Sequence, residues 1–176
     1  IRETYIPTDL ALVQTQMPDE TGGLFFSVQN EAGEVRLTRN GNLTVDGQGM
    51  LVTNQGFYVL DEAGNPIQTG GMDFTVTPNG VLQTAEQNTA LGILYVENVN
   101  DLIKEGDNLY NGETLAVPAG VNFNVQQGFL ESSNVDAATT MTEMMNAYRI
   151  FEVNQRVLRA YDESLGKAVT EIGRLG

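Results

Sequence analysis

Residues 33–60, GEVRLTRNGNLTVDGQGMLVTNQGFYVL, decide the fold class. Gly33, Gly41, Gly49 and Gly56 recur here, and Gly64 and Gly71 continue the series, always seven or eight residues apart. Short apolar segments lie between them: Val35–Leu37, Leu43–Val45, Met50–Val52 and Phe57–Leu60, then Pro66–Ile67. Asn40-Gly41, Asp46-Gly47, Asn79-Gly80 and Asn111-Gly112 are dipeptides that supply the positive φ angles of tight hairpins. Strands at this spacing, with no helical segment between them, predict an antiparallel sheet, a small barrel or sandwich, rather than βαβ units. Upstream, Leu24-Phe25-Phe26-Ser27-Val28 suits a half-buried strand. Downstream, 91–96, 121–125 and 128–130 are further strand candidates, 101–104 one helical turn, and 105–120 a loop. Gly22-Gly23 and Gly70-Gly71 lack the nonapeptide repeat of a calcium-binding β-roll.

The texture changes after Glu131. Ser132-Ser133-Asn134 offers N-cap side chains, and Asp136 falls in the first turn, where negative charge suits the helix dipole. From Val135 to Gly173 there is no proline, and Gly166 is the one interruption. Met141, Met144, Tyr148, Phe151, Gln155, Leu158, Asp162, Leu165, Val169 and Ile172 follow one another in alternating steps of three and four. That is a heptad a/d seam, apolar except for Gln155 and Asp162 at a positions. About 38 residues of helix would reach roughly 57 Å at 1.5 Å per residue, which is too long to lie wholly on a small β domain. The seam predicts a partner helix.

The 176 residues carry 9 basic and 23 acidic side chains, a net charge of −14. Residues 40–136 are strongly acidic, with Lys104 their one basic side chain, whereas residues 137–176 hold five of each sign. Such a field disfavours nucleic acid and anionic membrane surfaces as partners. No stretch approaches the roughly 18 apolar residues of a membrane span. Cys and His are absent, which closes the routes through thiolate nucleophiles, imidazole bases and His- or Cys-ligated metals. The chain opens Ile1-Arg2-Glu3-Thr4 without a Met or a signal peptide, and is expected to be truncated upstream.

Acidic groups are the remaining candidates for chemistry: Asp61-Glu62, Asp101/Glu105/Asp107 and Asp162-Glu163. General acid–base work needs two carboxylates held at a set separation in a cleft. Neighbours along a strand or helix point apart, so solvated turns and helix faces are the expectation. Asp61–Pro66 reads as a hairpin loop. Ser132-Ser133 has neither a nucleophile elbow nor a histidine partner. Gly47-Gln48-Gly49 sits between β segments with no following helix, unlike a dinucleotide-binding turn. No catalytic residue, cofactor or metal site is expected.

Several motifs together resemble one family. Glu131-Ser132-Ser133-Asn134-Val135-Asp136, then Glu143-Met144-Met145, then Arg149-Ile150-Phe151-Glu152-Val153-Asn154, resembles the C-terminal signature of bacterial flagellar rod, hook and hook–basal-body proteins. Its members show Leu-Glu-x-Ser-Asn-Val-Asp, then Glu-Met, then a Gln-Arg-x-Tyr-Glu-x-Asn-like stretch. Phe151 stands where Tyr is usual. Upstream, Leu24–Val28, Leu37–Leu43, Asp46–Thr53 and Gly64–Ile67 are similar to the family's middle block, with Leu37 and Asn40 in place of Tyr and Asp. The resemblance covers most of residues 9–176. The family's N-terminal helix is missing.

The resemblance implies a structural subunit, not an enzyme. Such subunits pass through the flagellar type III export gate and stack helically, with their terminal helices paired into an inner coiled-coil layer and a β domain outside. It implies an extended lead-in over 1–23, an antiparallel β domain over 24–130, and an amphipathic assembly helix over 131–176. Its signature residues here are Glu131, Ser133, Asn134, Val135, Asp136, Glu152 and Asn154. Partners would be copies of the chain, other rod and hook proteins and the export apparatus. The place would be the flagellar basal body, in the cell envelope outside the cytoplasmic membrane. The compact β domain suggests rod rather than hook. The other reading is an accessory or cap-like module not retained in the rod.

Overall fold

A computed structural model describes residues 1–17, 20–132 and 137–176. The chain forms two compact units, Ile1–Ser132 and Ser133–Gly176. The first is built of β1 (Arg2–Glu3), β2 (Leu10–Gln16), β3 (Gly23–Gln29), β4 (Val35–Thr38), β5 (Leu43–Val45), β6 (Leu51–Thr53), β7 (Tyr58–Val59) and β8 (Thr75–Val76). It continues with β9 (Val81–Gln83), β10 (Asn88–Ala90), β11 (Ile93–Val96), β12 (Ile103–Gly106), β13 (Leu109–Asn111), β14 (Asn122–Gln127) and β15 (Phe129–Leu130). The second unit contains α1 (Ala137–Arg174).

Every strand pairing in the first unit is antiparallel. The largest sheet runs β12-β13-β4-β3-β7-β6-β5, with β11 also on β3. β12, β5 and the branch strand β11 are its ends, so among the described residues this sheet stays open and no barrel closes, unlike one of the two forms expected. A meander of β8, β9 and β10 and the pairs β2·β14 and β1·β15 complete the unit.

β3 is the centre because both its faces are buried. Leu24, Phe26 and Val28 point into the main core with Leu10, Leu51 and Leu82, while Phe25 packs with Leu37 and Val96 on the opposite side. This two-sided burial is why Leu-Phe-Phe breaks the usual apolar–polar alternation. Ser27 is also buried, and its hydroxyl is satisfied by donating to the Gly92 carbonyl at 2.9 Å. Gln127 in β14 ties the meander to its neighbours. Its side-chain oxygen accepts from Val76 N at 2.9 Å, and its amide donates to the carbonyls of Pro7 and Phe74.

The regular glycine spacing comes from one turn used five times. Asn30, Asp46, Thr53, Asp61 and Thr77 each accept, through a side-chain oxygen, the backbone N–H four residues on, at 2.8–3.2 Å. Three residues on stands a glycine at positive φ: Gly33, Gly49, Gly56, Gly64 and Gly80, between 78° and 92°. The side chain and the left-handed glycine together close a three-residue loop between strands.

The dipeptides quoted above therefore act differently from expectation. Of Gly41, Gly47, Gly80 and Gly112, Gly80 alone has positive φ. Gly41 is needed for another reason: a Cβ there would run into the backbone carbonyl of Leu10. Leu10 N donates to the Gly41 carbonyl at 2.9 Å, and Asp9 bridges Asn42, so the chain crosses itself at contact distance.

Three further segments differ from the sequence reading. Residues 10–16 form a core strand, held by the full length of β14. The helical turn lies at Val99–Asp101, capped by the Asn98 side chain, and Ile103–Lys104 already belongs to a strand. Residues 105–120 include β13, joined to β12 through Asp107 and Asn108, both at positive φ. That turn carries no Asn-Gly or Asp-Gly pair, but Asn and Asp are the side chains that best tolerate this conformation.

Candidate assembly surface

α1 is 38 residues long. Among its described side chains, the seam residues Met141, Met144, Tyr148, Phe151, Leu158, Leu165, Val169 and Ile172 are all exposed, from 49% at Leu165 to 72% at Ile172. Burying one such side chain is worth about 1.5–3 kcal/mol, so eight in a row strongly favour a covering surface.

The helix presents more apolar surface than the seam. Met145, Ile150, Val153, Val157 and Tyr161 are exposed as well. At about 100° per residue, Ile150, Val153, Val157 and Tyr161 form a second stripe centred about 120° from the first. The g flank between them, Ala147, Asn154, Tyr161 and Ala168, carries no charge. Arg149, Glu152, Arg156, Arg159, Glu163, Lys167 and Arg174 fall on the remaining arc. A strict a/d template misses this second stripe; plotting every apolar residue around the helix would have found it.

The signature residues are placed unevenly. Glu131 lies near the end of the first unit beside Arg39, with Nη2–Oε1 at 2.8 Å. Glu152 and Asn154 lie on α1, in the charged arc and on the neutral flank. Ser133, Asn134, Val135 and Asp136 lie outside the described residues, so the capping expectation falls there too. Ser132 is exposed.

The acidic groups have structural work. Asp61 accepts from Ala63 N and Asn65 N and closes its turn. Glu105 accepts from Arg36 Nε at 2.6 Å and from Asn111 Nδ2 at 3.1 Å. The Arg36 hydrogen bond chiefly holds the Glu105 carboxyl below its ordinary value, while the same contact raises Arg36. Asp107 sits in the β12–β13 turn. Asp162 and Glu163, adjacent on a helix, diverge by about 100°. Among the described residues no three carboxylates gather as metal ligands, and no helix is long and apolar enough to cross a membrane.

The sequence is similar to those of known proteins. A family model for the C-terminal part of the flagellar basal body rod FlgEFG proteins matches residues 126–171. A model for the D1 domain of the flagellar hook proteins FlgE/F/G matches residues 21–85. The flagellar hook-basal body complex protein FlhO of Bacillus subtilis is 35% identical, over 99% of this chain and 68% of its own length. FlhP of the same organism is 34% identical over 78% of this chain and 58% of its own. The flagellar basal-body rod protein FlgF of Caulobacter vibrioides is 32% identical over 86% and 63%.

Proposed function

The chain belongs to the family of flagellar rod and hook–basal body structural proteins, and on that premise we propose that it is a rod subunit that self-assembles helically into the flagellar axis after type III export. The observation that carries the proposal is the exposed seam of α1, Met141 to Ile172. An apolar stripe this long suits helix packing in a shared layer. The second stripe supports more than one helical neighbour for each α1.

The pairing of β1 with β15 supports the same reading. Arg2 faces Leu130 and Glu3 faces Phe129, so the incoming and outgoing chain run side by side. A helix preceding residue 1 would end next to the segment leading to α1, as a terminal helix pair requires. The proposed domains are a β domain over 24–130 that also takes in residues 1–23 through β1 and β2, and an assembly helix over 131–176. The proposed partners are copies of the chain, other rod and hook proteins and the export apparatus. Its proposed place is the basal body, in the cell envelope outside the cytoplasmic membrane, with no catalytic role.

Deleting the gene in the source cells and imaging basal bodies tests this. Rods stopping short, restored by the wild-type gene but not by one carrying Leu158→Asp with Leu165→Asp, are expected. Intact flagella in the deletion strain would sink the proposal. Normal incorporation of the double variant would sink the seam's part in it. Rescue by a protein absent from purified basal bodies would favour the accessory, cap-like module instead.

A further inference from the structure

The geometry points to Arg39 and Glu131 as a clamp that fixes where the chain leaves the β unit, a role for this unit's own junction that stands apart from the assembly reading. Arg39 follows β4, yet its guanidinium reaches two separate sheets and the residue that follows a third. Nη1 donates to the Leu24 carbonyl of β3 at 2.7 Å, and Nη2 donates to the Leu12 carbonyl of β2 at 3.3 Å. Nε and Nη2 donate to the two carboxylate oxygens of Glu131, just beyond β15, at 2.9 and 2.8 Å. The guanidinium carbon also lies 5.9 Å from the Phe25 ring centroid. A planar fork matched to a carboxylate fixes direction as well as distance, which an ammonium does not.

The outgoing strand needs such a fastening. β15 has two residues, paired with the two of β1. So short a ribbon does not hold itself in water. Just before it, Thr4 N and Tyr5 N donate to the Gly128 carbonyl, and Gly128 N donates to the Asp9 carbonyl. Those hold the start of the segment, and Arg39 holds its end. The Arg39 side chain is 24% exposed and that of Glu131 42%, so the pair is sheltered on the guanidinium side alone. Because β15 pairs with β1, one guanidinium steadies both the incoming and the outgoing chain.

Hydrogen exchange followed by mass spectrometry on the full chain tests the clamp, using Glu131→Gln and Arg39→Lys. Glu131→Gln keeps the shape and removes the charge. Arg39→Lys keeps the charge and removes the fork. Both should speed exchange in peptides covering residues 1–6 and 126–132 by about fivefold, the scale of one partly sheltered charge-assisted pair, while β3 peptides stay at wild-type rates. Unchanged exchange at residues 126–132 in Glu131→Gln overturns the clamp. So does loosening spread evenly through β3. Wild-type behaviour in Arg39→Lys overturns the part assigned to the fork.

Discussion

Gly41→Ala should damage this protein, whereas Gly47→Ala should not, although both glycines follow an Asn or Asp in what look like equivalent turns. At Gly41 a methyl group would enter the space of the Leu10 carbonyl oxygen, which is backbone and cannot swing aside. The two chain segments must separate. That loosens the Leu10 N–Gly41 carbonyl bond of 2.9 Å and the Asp9–Asn42 bridge. Two weakened backbone bonds at about 1 kcal/mol each, together with the strain of an overpacked contact, give about 2–4 kcal/mol. For a unit of this size that lowers Tm by about 8–15 °C. At Gly47 nothing lies within 4 Å of the added carbon and φ is not positive. Ala there should shift stability by less than about 0.5 kcal/mol, and the entropy of the unfolded chain favours a small gain. Thermal unfolding followed by circular dichroism at the β signal, with both variants run beside wild type, measures this. A Gly41→Ala protein melting within a degree of wild type would refute the crossing argument, and so would equal damage from the two substitutions.

Three more outcomes are expected. Asp61→Ala removes the acceptor for Ala63 N and Asn65 N and should cost about 1–2 kcal/mol in urea unfolding; an unmoved midpoint would mean that the glycine alone closes the turn. Phe26→Ala empties a site 1% exposed at the centre of β3 and should cost about 3–5 kcal/mol, and a loss under 1 kcal/mol would place the core elsewhere. Glu105 has its folded pKa lowered, first by the Arg36 hydrogen bond. Its contribution is therefore present above the ordinary value of 4.5 and is lost as pH falls through the folded value. Glu105→Gln should narrow the gap in Tm between pH 7 and pH 3, and an identical pH profile in the variant would remove Glu105 from the acid response.

Some of this architecture was legible in the residues because the signal was local. Leu24–Val28 announces the central strand, and the steps of three and four from Met141 to Ile172 announce the helix. The turns were half legible. The glycine period is visible, but the dipeptides pointed to the wrong glycines, since the polar side chain acts three residues before its glycine rather than one. β2 was missed because its partner β14 lies more than a hundred residues away, and nothing near the apolar run at 10–13 points to that partner. Arg39 and Glu131 are 92 residues apart, and nothing in either neighbourhood suggests the other. The topology alone brings them together. On the helix, the a/d template found one stripe and hid the second, because Ile150, Val153 and Val157 fall outside a and d.

The pairing pattern also sets a timetable for folding. The links β3–β4, β5–β6, β6–β7, β8–β9 and β9–β10 join neighbours in sequence and carry little loop-closure cost, so they can zip early. β1 and β2 cannot, because their partners β15 and β14 are the last strands of the unit. When the chain is delivered from its N-terminal end, Leu10 can meet Gly41 early, but Ala11–Val13 must wait for their strand partner while more than a hundred residues follow. Such a strand is the natural docking point for a holdase and the natural nucleus of aggregation. The unit closes only as the residues leading into α1 arrive, so completion of the β fold and appearance of the exposed helix are timed together.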